Sequence, residues 1–131
     1  MTTPKGPTPK GPLALVPMAY VRNVQESIAF YTRFGFEIGN TNTLKGETEP
    51  NWAWLQSQRA QLMLARATAP VVASDQAVLF YVYVADVEAF RTRLQQAGIE
   101  GGPIRHPFYA PRGEFRVTDP DGYVVMVTHA D

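Results

Sequence analysis

Few residues in this chain are of types that carry out catalysis. It has two histidines, His106 and His129, and Glu114 is an acid that lies between them in sequence. Imidazole and carboxylate groups together can hold a divalent metal or transfer a proton. His129 has the strand parity opposite to that of Met126, so the two side chains should point to different faces. We therefore expect no facial triad, and the position of His129 near the chain end predicts that it lies at the surface.

Other catalytic patterns are also weak. Ser27, Ser57 and Ser74 lie in no nucleophile-elbow context and have no evident histidine partner. Gly101 and Gly102, in the stretch EGGPIRH, form no phosphate-binding motif. The chain has no cysteine, which excludes disulfides and thiolate chemistry. We predict a protein without catalytic residues and without a cofactor.

The length and the net charge of the chain limit the kinds of partner that it can bind. The 131 residues suffice for one domain, and 12 basic residues balance 12 acidic ones. Nucleic-acid binding normally needs a basic excess or stripe, so no nucleic-acid partner is predicted. No apolar run approaches the roughly 18 residues of a membrane span, and the first residues lack the apolar core of a signal peptide. We expect a cytoplasmic protein that does not contact a membrane.

The chain divides into a short tail and one domain. Residues 1–12, MTTPKGPTPKGP, contain TPKGP twice and have a composition typical of a flexible segment. The domain is predicted to span residues 13–131 and to consist of two similar units, about 13–72 and 75–131. The units are related by an offset of 63 residues, which pairs Tyr20 with Tyr83, Val24 with Val87, Gly35 with Gly98, Trp52 with Phe115 and Met63 with Met126.

Both units predict the same local structure. Residues 14–21 and 77–84 are apolar on both faces, as in strands covered on both sides. Asn23 and Asp86 follow as helix N-caps, and a glycine 12 residues after each suits the left-handed position that closes a helix. The class is therefore α+β, built from two tandem βαβββ units. Three extended stretches are predicted after each helix, at 36–41, 52–56 and 61–66 and at 99–104, 115–118 and 123–129.

The paired units and three segments carry a resemblance to a known family. The segments are NVQESIAFYTRFGFE, NWAWLQSQRAQLMLA and GEFRVTDPDGYVVMV. In order and spacing they resemble the vicinal oxygen chelate superfamily, which includes glyoxalase I, extradiol dioxygenases and bleomycin-resistance proteins. The resemblance covers residues 13–129 and implies a half-open, curved mixed sheet with the helices on its outer face and a ligand site on its concave face. It also implies a homodimer, because in many members a partner chain completes the pocket.

The same resemblance allows the family's metal site to be projected onto this chain. In the metal-dependent branch a His or Glu on the first and last strand of each unit holds a divalent ion. The four positions fall at about Val16, Met63, Leu79 and Met126. None of these side chains offers the carboxylate oxygen or imidazole nitrogen that such an ion needs. We expect no metal site.

An apolar, aromatic face is predicted in place of the metal. Placing Thr118 opposite Tyr123 puts Phe115 opposite Met126, so that both face the cavity together with Val117 and Val124. Any one aromatic residue on a strand is more often part of a core, but two tryptophans one residue apart favour a pocket. By the repeat and by strand parity the same face also includes Trp52, Trp54, Met63, Met18, Tyr20, Tyr81 and Tyr83.

Two loops are candidates for closing this cavity. HPFYAPRGEF, residues 106–115, contains Phe108, Tyr109 and Arg112, which are predicted to contact the ligand. Arg112 either binds a carboxylate or an aromatic face of the ligand or is simply solvated. The polar stretch 40–50, NTNTLKGETEP, is predicted to gate the cavity from the other unit.

These features predict a metal-independent protein of the glyoxalase/bleomycin-resistance type that binds an aromatic or amphipathic compound, with a role in antibiotic resistance. Bleomycin itself fits less well, because a large cationic glycopeptide favours an acidic groove and the net charge is zero. One alternative is a lyase or dioxygenase of the same superfamily that uses a divalent metal. A second alternative is an interaction module whose cavity has collapsed.

Overall fold

The computed structural model describes residues 6–130. Within them lie two α-helices, one short 3-10 helix at Ala73–Asp75 and seven strands, which confirms the α+β class. The first five residues of the predicted tail and Asp131, the last of the predicted domain, lie outside the described residues. Residues 6–12 are exposed and carry neither helix nor strand. In chain order the elements are β1 (Met18–Val21), α1 (Val24–Phe34), β2 (Glu37–Asn42), β3 (Trp52–Ser57), β4 (Ala60–Arg66), β5 (Leu79–Val84), α2 (Val87–Gln96), β6 (Glu114–Thr118) and β7 (Val124–His129).

The strands form two mixed sheets that repeat one pattern. The first, sheet A, has the order β1-β4-β3-β2, and the second, sheet B, has the order β5-β7-β6. In each sheet the first strand of the unit runs parallel to the last one, and the remaining neighbours are antiparallel. The sheets of the described residues are not closed into a barrel, which is consistent with the predicted half-open, curved arrangement.

The second unit lacks one predicted strand. Residues 99–104 were expected to be extended and paired, but they form no strand. Among the described residues, a hydrogen bond from the Gly102 N–H to the Arg116 carbonyl joins this segment to β6, and the next residue, Arg105, forms an isolated bridge with Glu114. The sequence Gly101-Gly102-Pro103 explains the difference, because glycine orders at a high entropic cost and proline has no N–H to donate.

The helix boundaries agree with the capping pattern. The Asn23 side chain accepts a hydrogen bond from the Glu26 N–H at 2.9 Å, and Asp86 accepts one from the Ala89 N–H at 3.0 Å. Gly35 has φ of 131° and Gly98 has φ of 81°, as expected of residues that end a helix. The caps fix where each chain segment leaves its first strand and turns onto its sheet.

One hydrophobic core is shared by the two units. It contains one face of each helix and one face of each sheet. Phe34 of α1 packs edge-on against Phe90 of α2 at 5.3 Å between ring centroids, and Arg93 donates a hydrogen bond to the Phe34 carbonyl at 2.7 Å. Because both units turn their helix-bearing faces to this core, the opposite faces of both sheets point away from it.

On those opposite faces, the side chains of β1 and β5 are more exposed than the sequence predicts. Both strands were predicted to be covered on both sides, but alternate residues are exposed, and the side chain of Tyr83 is 65% exposed. A single helix per unit covers only one face of its sheet. The exposed residues of the two strands are Met18, Tyr20, Leu79, Tyr81 and Tyr83.

The turn DPDG, between β6 and β7, joins the two units through buried carboxylates. The Tyr31 hydroxyl of α1 donates to Asp119 Oδ2 at 2.7 Å, and the backbone N–H groups of Asp121 and Tyr123 donate to Asp119 Oδ1 at 2.9 Å. Asp121 accepts from the backbone N–H and the side chain of Arg22, just after β1. The turn of the second unit is thereby bonded to the first unit at two places.

Burial controls the ionisation of this network. Desolvation raises the pKa of Asp119, although its hydrogen bonds from Tyr31, Tyr123 and Asp121 act in the opposite direction. Desolvation, followed by the charge of Asp119, also raises the pKa of the Tyr31 phenol. Since the folded pKa of Asp119 lies above the unfolded one, its titration adds stability below the unfolded pKa and loses it as pH rises through the folded pKa.

We predict that Tyr31→Phe lowers the free energy of unfolding by about 1.5–3 kcal/mol, because the variant loses a buried hydrogen bond to a carboxyl group. Chemical denaturation measures the loss of unfolding free energy in Tyr31→Phe, in Asp119→Ala and in the double variant. The double variant should lose less than the sum of the two single losses, because both single variants remove the same hydrogen bond. Tyr123→Phe is the control, since among residues 6–130 its hydroxyl donates only to the Tyr20 carbonyl, and that hydrogen bond is exposed. Equal losses for Tyr31→Phe and Tyr123→Phe would contradict the importance of this junction.

Candidate functional site

The solvent-facing side of sheet A is aromatic. Trp52 and Trp54 alternate on β3 with the buried Ala53 and Leu55, so both indoles are on this side and are half-buried. Their ring centroids are 6.5 Å apart with the rings at 62°. Across the sheet Met18 pairs with Met63, and Met63 pairs with Trp54. The structure thus brings the predicted residues Trp52, Trp54 and Met63 together on one face.

The solvent-facing side of sheet B combines aromatic and charged residues. Tyr81 and Tyr83 of β5 lie on it with ring centroids 6.4 Å apart, and Tyr81 pairs with Met126. Met126 in turn pairs with Arg116 of β6. Alternation along β6 then places Glu114 and Thr118 on the same side as Arg116. The predicted residues Tyr81, Tyr83 and Met126 share this face with two charges that the pattern of apolar residues did not predict.

The predicted pairing of β6 with β7 is wrong by one residue. Thr118 pairs with Val124, and Phe115 pairs with Val127 instead of Met126. A shift of one residue turns every side chain of a strand to the other face, so Phe115 and Val117 belong to the core. Phe115 is only 2% exposed. It is therefore not part of the wall that carries Met126.

The cause of this shift is the length of the turn. In sheet A the paired residues Trp54 and Met63 are nine positions apart, whereas in sheet B the paired residues Arg116 and Met126 are ten positions apart. The ungapped repeat therefore fails between the two hairpins. By position in the sheet, Trp54 corresponds to Arg116, and Trp52 corresponds to Glu114.

The loop before β6 is attached to the sheet through Tyr109. Its hydroxyl donates a hydrogen bond to Glu114 Oε1 at 3.0 Å, and this bond with the Glu114 carboxylate raises the pKa of the phenol. Phe108 packs edge-on against Tyr109 at 5.4 Å but is otherwise exposed. Tyr109 thus lies beside the face of sheet B, and its role in closing the site stays a prediction.

Arg112 and His129 lie elsewhere. His129 was expected at the surface, but it is 9% exposed, because the end of β7 pairs with β5 and is covered. The Arg112 guanidinium contacts His129 Nδ1 at 2.9 Å. His129 has the strand parity opposite to Met126, so this contact directs Arg112 away from the face that carries Met126.

Glu114 is the functional candidate that the sequence reasoning did not assign to the ligand. It is 6% exposed, and its Oε2 atom has no hydrogen-bond partner among the described residues. From the sequence, Glu114 was expected at most to be a metal ligand. The available signal was the alternation Glu114, Arg116, Thr118, which indicates a polar outer face once the pairing with β7 is corrected.

Two clefts border these faces. An open cleft of about 820 Å³ runs along β6 and the preceding segment 98–105, and a second cleft of about 480 Å³ includes Tyr81 and Tyr83. Trp52, Trp54 and Met63 border neither cleft. Neither of these two clefts therefore joins the aromatic face of sheet A to the mixed face of sheet B. The first cleft is lined by residues that include Arg33, Glu100, Arg105, Glu114, Arg116 and Met126.

The projected metal positions do not fit a divalent ion in this structure. Met63 and Met126 face outward from their sheets and offer only thioether sulfur. Val16 and Leu79 offer no donor atom. Among residues 6–130 no three His, Asp or Glu side chains are grouped so as to hold a metal ion.

Comparison with known families and structures identifies the fold. Residues 15–127 match the model of the Glyoxalase/Bleomycin resistance protein/Dioxygenase superfamily. The chain belongs to this superfamily. Comparison with curated proteins finds no match. Within the described residues no helix is long and apolar enough to cross a membrane.

Solved structures with the same fold match nearly the whole chain. The bleomycin resistance determinant encoded on transposon Tn5 has a TM-score of 0.74 at 17% identity, covering 90% of this chain and 98% of its own. A bleomycin-binding protein in complex with bleomycin has a TM-score of 0.72 at 17% identity, with the same coverage. The bleomycin-binding protein from Streptomyces verticillus, complexed with copper(II)-bleomycin, has a TM-score of 0.69 at 19% identity, covering 92% of this chain and 98% of its own. At these identities the likeness shows the fold alone.

We predict that Phe115→Ala lowers the free energy of unfolding by about 3–5 kcal/mol, because it leaves a cavity in a close-packed core. Val78→Ala, at an exposed position before β5, should change it by no more than about 0.5 kcal/mol. Urea denaturation monitored by circular dichroism measures both. A tolerated Phe115→Ala would instead place that ring on the outer wall, as the uncorrected repeat suggests.

Proposed function

We infer that this protein binds a small aromatic or amphipathic molecule without a metal. We propose that it confers resistance to this molecule by sequestering it, without a chemical reaction. The observation that carries the proposal is the solvent-facing pair Trp52 and Trp54 beside Met63. Large aromatic side chains at half-buried positions bind planar molecules by stacking and area burial. Methionine adapts its shape to the ligand.

Metal independence is supported by the donor atoms. The four projected positions hold valine, leucine and methionine, and the described residues contain no alternative group of three carboxylates or imidazoles. A lyase or dioxygenase of the superfamily that uses a divalent metal needs such a group. Binding without chemistry therefore agrees better with the side chains present.

A homodimer is the proposed functional form. The outer faces of both sheets expose apolar and aromatic side chains, and β1, β2, β5 and β6 are edge strands. We propose that the aromatic face of sheet A from one chain lies opposite the mixed face of sheet B from its partner. Each cavity is then bounded by Trp52 and Trp54 of one protomer and by Met126 and Tyr109 of the other. Two equivalent cavities follow from two-fold symmetry.

Bleomycin-binding proteins among the structural relatives support a small-molecule ligand, because their fold accommodates one. The ligand of this chain is proposed as a smaller planar compound. A cytoplasmic location and the absence of nucleic-acid and membrane partners remain predictions from composition.

We predict that planar compounds such as naphthalene, quinoline and anthraquinone change the tryptophan emission saturably, after correction for their own absorption. Trp54→Ala should weaken binding several-fold, since each stacked pair contributes about 0.5–1.5 kcal/mol beyond area burial. Its unfolding should stay cooperative. EDTA should leave the affinity unchanged. A severe loss of stability in Trp54→Ala with unchanged affinity, or the loss of binding in EDTA, would contradict the proposal.

We also predict a dimer at micromolar concentration, with a mass of twice 14.5 kDa in sedimentation equilibrium. Tyr83→Lys places a charge on the exposed face and should shift the equilibrium toward monomer, because the charge must be desolvated when the faces meet. Glu88→Lys is the control, since Glu88 lies on the exposed side of α2. A strictly monomeric wild-type protein would contradict the shared cavity.

A further inference from the structure

The carboxyl group of Glu114 is buried but only half satisfied. Its Oε1 accepts a hydrogen bond from Tyr109, whereas Oε2 has no partner among the described residues. A buried polar atom without a hydrogen bond lowers the stability of the fold, and more so if it is charged. Such an atom is rare in a folded protein, and its partner from outside the chain is either an ordered water or a bound ligand.

The neighbouring residues do not supply that partner. Arg105 and Arg116 line the same cleft, but neither forms an ion pair with Glu114 within residues 6–130. A metal ion is also a poor candidate, because no second and third ligand are grouped with this carboxylate in the described chain. A hydrogen-bond donor that enters the cleft is the remaining chemical class.

The position of Glu114 connects it to the ligand cavity. It occupies the place in sheet B that Trp52 occupies in sheet A, and it shares its face with Met126 and Tyr81. It also lies beneath Tyr109, the loop residue nearest to that face. The Oε2 atom is itself buried, so a molecule stacked against the aromatic wall contacts it only when a covering group such as Tyr109 moves aside.

We propose that Glu114 is the specificity-determining anchor of the site and binds a cationic N–H group, such as the amidinium or ammonium of an aromatic ligand. This inference rests on the binding function proposed above and adds the charge of the ligand to it. A cation in direct contact with a buried carboxylate forms a charge-assisted hydrogen bond, and an amidinium can donate two N–H groups in parallel. Three arginines that line the cleft, Arg33, Arg105 and Arg116, oppose this only weakly, because all three are exposed and their charges are screened by solvent.

Three probes of one shape and different charge test the proposal. Benzamidine carries two N–H donors and a positive charge, benzamide is neutral, and benzoate is negative. Binding is followed in the full-length protein by the ¹³C-methyl resonances of its four methionines, since Met126 lines the same cleft. We expect benzamidine to shift the Met126 resonance saturably and to bind at least about tenfold more tightly than benzamide, a difference of about 1.4 kcal/mol. Benzoate should bind more weakly than either.

A matched pair of variants assigns the preference. Glu114→Gln removes the charge but keeps the shape and the acceptor for Tyr109, and should reduce the preference for benzamidine to less than about twofold. Glu100→Gln removes an equal charge from an exposed residue of the same cleft and should leave the preference unchanged. If both variants lose the preference equally, only the general field of the cleft acts and the proposal is wrong.

Other outcomes overturn the proposal in ways that leave the binding function intact. Equal affinities for benzamidine and benzoate in the wild-type protein would show that water or Arg116 forms the hydrogen bond to Glu114. This comparison uses the wild-type protein alone, so it does not depend on whether a variant folds. If Glu114→Gln weakens dimerisation but keeps the preference for benzamidine, the Glu114 carboxylate binds a group of the partner chain and not the ligand. In both cases naphthalene would still change the tryptophan emission, whereas its failure to do so counts against the binding function itself.

Discussion

The arrangement of the two units depends on the buried carboxylates of the turn between β6 and β7. Asp119 and Asp121 accept hydrogen bonds from Tyr31 and Arg22, both in the first unit. Apolar packing between the helices is not directional, whereas these bonds allow only one placement of the turn. The same turn begins β7, which carries Met126. The position of the proposed ligand wall is therefore set by polar contacts that lie on the far side of the sheet.

Much of the fold follows from local rules, and the site does not. The capping residues Asn23 and Asp86 predict the helix starts, and alternation in Trp52–Leu55 predicts which side of β3 faces solvent. The pairing of β6 cannot be obtained this way, because Phe115 and Arg116 differ by one position and only the turn decides which of them faces outward. The burial of His129 and the contact between Tyr109 and Glu114 depend on residues brought together by the fold.

The two units keep a common backbone but present different chemistry. The outer face of sheet A has two tryptophans where that of sheet B has Glu114 and Arg116, and the last strand of each unit, an inner strand of its sheet, carries a methionine in both. A cavity bounded by one face of each kind has an apolar wall that contributes area and a polar wall that orients the ligand. Such a division of roles is not available to a pair of identical faces.

The one-residue difference between the hairpins has a consequence for how this fold can change. Because side chains alternate along a strand, an added residue in the turn exchanges the whole lining of β6 for the residues that were previously in the core. No single substitution alters so many wall residues at once, and the backbone path of the strand is preserved. Insertion or deletion of one codon in this turn is thus a discrete route by which one copy of a duplicated unit acquires a new binding surface while the other copy keeps the old one.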